Sequence, residues 1–89
     1  MTKLEVVDDI RKALLELISV QDSIADDDEA IRTIQKPYER LVDRFYRETH
    51  EFLAYQQYKA AKEDPEYFMQ LVLLAHQHFK DEDIGKALH

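Results

Sequence analysis

Apolar residues recur at helical spacing from the start of the chain. Val7, Ile10, Leu14, Leu17, Gln21 and Ile24 lie three and four residues apart, a heptad-like seam suited to antiparallel bundle packing. Thr2, with Glu5 three residues on, makes a capping box, so a first helix is expected over about residues 3–22. Val6, Ala13, Ile18 and Val20 widen its apolar arc enough to touch two neighbours. Asp26, with Glu29 three residues on, makes another capping box, and Asp27, Asp28 and Glu29 suit the helix dipole, so a second, short helix is expected over about 27–35. Ile31, Ile34, Tyr38, Leu41 and Phe45 keep one helical phase across Pro37, yet a residue before proline avoids the helical region. The reading therefore places a break there.

The stretch PYERLVDRFYRETHEFLAYQQYKAAK, from Pro37 to Lys62, then reads as one long amphipathic helix on which the rest packs. Tyr38, Leu41, Val42, Phe45, Thr49, Phe52, Leu53 and Gln56 share one arc at about 100° per residue. Unbroken, this helix would be on the order of 39 Å long. Asp64, Pro65 and Glu66 form a strong start signal for a last long helix over about 65–80. That helix centres on Phe68, Leu71, Val72, Ala75 and Phe79. Its apolar surface continues to Tyr67, Leu74 and His78 on one side and to Met69 and Leu73 on the other. In the tail, 81–89, Asp81 or Asp83 can cap, Gly85 weakens helix, and a turn or two is expected to fold back; as the alternative to self-association through the last helix, Ile84 and Leu88 would lid its flank.

The fold class that follows is all-α: a single domain, 1–89, forming a small antiparallel bundle of three long helices, one short helix and a C-terminal helical turn. Val7, Ile10, Leu14, Leu17, Ile34, Leu41, Phe45, Phe52, Phe68, Leu71, Val72 and Phe79 are its expected core.

Charge narrows the partners. Nineteen acidic against twelve basic residues give a net charge of −7, which argues against nucleic acid, whose binding rests on lysine and arginine displacing counterions. The longest apolar run, Leu71 to Ala75, is too short to enter a membrane as a span. Acids interrupt the N-terminal stretch before any signal-peptide core can form, so a soluble, cytoplasmic protein is expected.

Catalytic chemistry finds little to stand on. Cysteine is absent, which removes disulfides, thiolate metal sites and a cysteine nucleophile. The residues three before His50, His76 and His78 are Arg47, Leu73 and Ala75, so no Glu-x-x-His pair exists for a di-metal bundle. His76 and His78 are two apart and diverge on a helix, and with one glycine in the chain there is no phosphate-cradling loop. No catalytic residue, metal or cofactor is assigned.

What remains points to a non-enzymatic protein–protein interaction module (a regulator, an inhibitor or an immunity-type protein) acting through a helical face. Its partner-binding candidates are Lys36, Arg40, Arg44 and Arg47, within about 80° on one helix face, joined by Tyr55 and Tyr58. A salt-bridge ladder would neutralise that stripe, with Asp43, Arg44 and Arg47 each four residues from a partner at Arg47, Glu48 and Glu51. The alternative is a small all-helical enzyme or anionic-ligand binder using the same stripe. Tyr67, Met69, Leu73 and Leu74 form the expected interface of a homodimer.

Overall fold

The computed structural model describes residues 2–24 and 26–87, and among them it is a four-helix bundle without strands. The helices are α1 (Lys3–Ser23), α2 (Asp28–Glu48), α3 (Tyr55–Glu63) and α4 (Pro65–Ala87). Each helix packs on its chain neighbours, and α4 closes the ring against α1. The expected class of three long helices and one short one holds, but the short one is the third, not the second.

Local chemistry sets three of the boundaries. The Thr2 hydroxyl accepts from the Glu5 amide and starts α1. Asp27, one residue later than the expected Asp26, accepts from the Glu29 and Ala30 amides at 3.1 Å and starts α2. Asp64 does the same for the Glu66 and Tyr67 amides, with Pro65 in the first helical position where its missing N–H costs nothing.

Two expectations are overturned. The expected break at Pro37 does not occur: α2 runs through it. Tyr38, Val42 and Phe45 bury only if the helical phase holds, and Pro37 itself is exposed, so the carbonyl it leaves unpaired can meet water. The helix expected over 37–62 instead stops at Glu48. There the Thr49 hydroxyl donates to the Phe45 carbonyl at 2.6 Å, and the Phe52 and Leu53 amides both turn back to the Thr49 carbonyl. Thr49 and Leu53 are buried in that turn, and the Gln57 side chain accepts from the Ala54 amide to start α3 in the reverse direction.

α4 is also longer than the expected 65–80. It continues through Gly85, carried by Gln77 to Asp81 and His78 to Glu82 contacts four residues apart, so the acids expected to cap a tail are inside the helix. Ile84 is half exposed on it instead of forming a lid, and Leu88 lies outside the described residues.

The core is Val6, Val7, Ile10 and Leu14 of α1, Tyr38, Val42 and Phe45 of α2, and Phe68, Leu71, Val72, Ala75 and Phe79 of α4, closed by Leu53 and Ala61. Phe68 is its centre, stacked on Tyr38 at 5.7 Å and meeting Phe45 edge-on at 5.5 Å. Leu17, Leu41 and Phe52 are only partly buried, packed on the core's edge, and Ile34 lies beyond it. No described residue from Leu15 to Pro37 is buried. The distal halves of α1 and α2 therefore form an arm that outreaches α3 and α4. With this arm at one end and the last turns of α4 passing the start of α1 at the other, the long axis is 52 Å and the radius of gyration 14.2 Å, where a compact chain of this length would have about 12 Å.

Candidate functional site

Because the chain reverses after Glu48, α3 lies antiparallel along α2 and brings three tyrosines beside the basic stripe. The Tyr46 and Tyr58 ring centres are 4.4 Å apart, and Tyr55 stacks on Tyr58 at 5.9 Å. Lys62 lies over the Tyr58 ring at 4.7 Å and Lys59 over Tyr55 at 5.6 Å. Arg40, Asp43, Tyr46, Arg47 and Tyr58 together line a groove of about 400 Å³.

Asp43 is the hinge of the site's electrostatics. The Tyr58 hydroxyl donates to its carboxylate, and the Lys62 ammonium lies 3.5 Å from the same oxygen. That hydrogen bond to the carboxylate pushes the Tyr58 phenol above its ordinary range, opposed by Lys62. The neighbouring tyrosine oxygen and Asp43 in turn hold the Lys62 ammonium up. Deeper in, the Tyr38 hydroxyl donates to the Ala61 carbonyl and fastens α3 to α2, and burial raises the phenol's pKa, aided by Asp64.

The structure brings Arg40, Arg47, Tyr55 and Tyr58 to one face; Lys36 and Arg44 lie along the same helix, Lys36 exposed and Arg44 half-buried. The expected ladder is not formed. Among the described residues Lys36, Arg40, Arg44 and Arg47 have no carboxylate within ion-pair distance. Asp43 is committed to Tyr58 and Lys62, and Glu51, outside the helix, pairs with Lys3 of α1. That pairing holds the Glu51 carboxyl below its usual range. Lys59 and Lys62 were invisible in the sequence pattern as members of this face, since only the reversal at Thr49 places them there.

The expected dimer residues divide. Tyr67 and Met69 pack partly buried on the core, while Leu73 and Leu74 are 49% and 61% exposed. These two point about 100° apart on α4, and Gln70 and Gln77 fall between them. His50, His76 and His78 are dispersed: His76 approaches Asp8 of α1 at 3.5 Å, and His78 lies against Phe52. No cluster of metal-binding side chains is found among the described residues, and none of the described helices is long and apolar enough to cross a membrane. Comparison with known proteins finds no family model, no curated protein and no solved structure that matches this chain.

Proposed function

We propose that this chain is a cytoplasmic, non-enzymatic interaction module, of regulator, inhibitor or immunity type, that docks an acidic segment of a partner protein on the α2–α3 face. The observation that carries the reading is a row of arginines without carboxylate partners beside a three-tyrosine cluster, on a chain of net charge −7. Tyrosine and arginine are, with tryptophan, the residue types enriched among the few that dominate binding energy. An acidic partner would be steered by the stripe and repelled by most of the remaining surface. The alternative, an enzyme or small-anion binder, would use the same groove. Asp43 counts against it, because a carboxylate in the lining opposes a compact anion but leaves an extended acidic segment free to bypass it.

Affinity capture from the native host tests the reading, with wild type set against Arg47→Glu and Tyr55→Ala. A partner held by wild type should bind at least about tenfold more weakly to each variant when rebuilt from purified components. Its affinity should fall with added salt. Capture that is indifferent to both substitutions refutes the assignment, and saturable binding of inorganic phosphate in the groove would favour the alternative. Self-association belongs to the same reading, but the divided α4 flank of Leu73 and Leu74 is a poor seam for it.

A further inference from the structure

A second groove adjoins the first and shares Arg40 with it. It runs between α1 and α2, about 400 Å³ in volume, with Leu17, Val20, Pro37 and Leu41 in its lining, Glu16 on the α1 rim and Arg40 on the α2 rim. Nothing among the described residues of this chain covers it. α3 and α4 pack elsewhere on the α1–α2 pair, Val20 is 44% exposed, and α4 runs away from the arm. Antiparallel helices with an apolar seam, a glutamate on one side and an arginine on the other make a surface that can complement itself.

We propose that two copies of the chain pair through this face, about a two-fold axis parallel to the helices, and the assignment goes beyond the partner-docking reading. Such an axis lays α1 of each copy over α2 of the other. Glu16 and Arg40 line the same groove from opposite helices, so Glu16 of each copy is brought to the partner's Arg40, twice over. The other in-plane axis, perpendicular to the helices, would set Glu16 on Glu16 and Arg40 on Arg40, which like-charge repulsion disfavours. The face is large enough. Two 21-residue helices side by side, about 31 Å long and roughly 20 Å across, offer on the order of 600 Å², near the ~800 Å² per partner of a standard interface.

Sedimentation equilibrium of the full chain across the micromolar range tests this. A two-chain mass is expected, dissociating on dilution. Val20→Asp, at an exposed position, should give a single-chain mass with unchanged helical circular dichroism. Glu16→Arg and Arg40→Glu should each weaken association at least about tenfold, and the two combined should restore it, since the swap rebuilds both cross-pairs. A single-chain mass for wild type at every concentration overturns the proposal. So does a dimer that Leu73→Lys dissociates while Val20→Asp leaves it intact, or a double variant no tighter than the weaker single one. Arg47→Glu and Tyr55→Ala should leave the dimer mass unchanged, so failure of the docking face and failure of this interface are separately visible.

Discussion

Replacing Pro37 with alanine should stabilise the protein, an outcome that follows only if α2 is continuous. Pro37 is the tenth of 21 residues in that helix. It supplies no amide to the Thr33 carbonyl, and its ring crowds the same group. Against alanine a helix-interior proline costs about 3 kcal/mol. Releasing the unfolded chain from the proline ring takes back roughly 0.4–1 kcal/mol, leaving a net gain of about 2 kcal/mol. On a domain whose total stability is of order 4–13 kcal/mol that is a large increment. Urea unfolding followed by far-ultraviolet circular dichroism, at concentrations too low for self-association, measures it. With a slope of about 1.3 kcal/mol per molar, the midpoint should rise by roughly 1.5 M. An unchanged or lower midpoint would mean that Pro37 occupies a helix start, where proline is favourable, and the continuous α2 would be wrong.

Two further outcomes separate the bundle's centre from its margins. Phe45→Ala should cost about 3–5 kcal/mol, because the ring is fully buried against Phe68, whereas Phe52→Ala, at a half-buried loop position against His78 and Phe79, should cost less than about 2 kcal/mol; equal losses in urea titrations would contradict the burial described. In alkali the Tyr38 phenol stays protonated in the folded chain but ionises in the unfolded chain near its ordinary value of 10.0, so stability is intact below that pH and falls as pH rises above it. Tyr38→Phe should shallow that alkaline loss, and an equally steep decline in the variant would refute the role given to Tyr38.

Where a boundary is made by neighbours in sequence, the sequence shows it. Thr2 with Glu5 and Asp64 with Pro65 are local devices, and α1 and α4 begin where those residues say. Pro37 was legible but misleading. The local preference of the preceding residue yields to the burial of Tyr38, Val42 and Phe45, which needs unbroken phase. The reversal at Thr49 was harder, since the stretch YRETHEFLAYQQ carries no warning of it: residues 49–54 contain neither glycine nor proline. What ends α2 there is mostly tertiary, the burial of Leu53 and the packing of Phe52 on Phe79. The one local trace is Thr49 itself, a hydroxyl on the apolar arc able to bond back to the preceding turn.

The same reversal explains why the candidate site was half legible. The cations were visible as a stripe, but the ladder that would neutralise them assumed Glu51 to be one helical turn beyond Arg47. Ending α2 at Glu48 takes Glu51 off that line and gives it to Lys3. Folding α3 back along α2 brings Tyr58 and Lys62 onto Asp43 and so occupies the carboxylate one helical turn before Arg47. One turn, made by burying Leu53, thus strips the stripe of two carboxylates and lays Tyr55 and Tyr58 beside it. The face acquires its positive charge and its aromatic platform from a single event in the packing of the core, which no spacing along α2 alone could reveal.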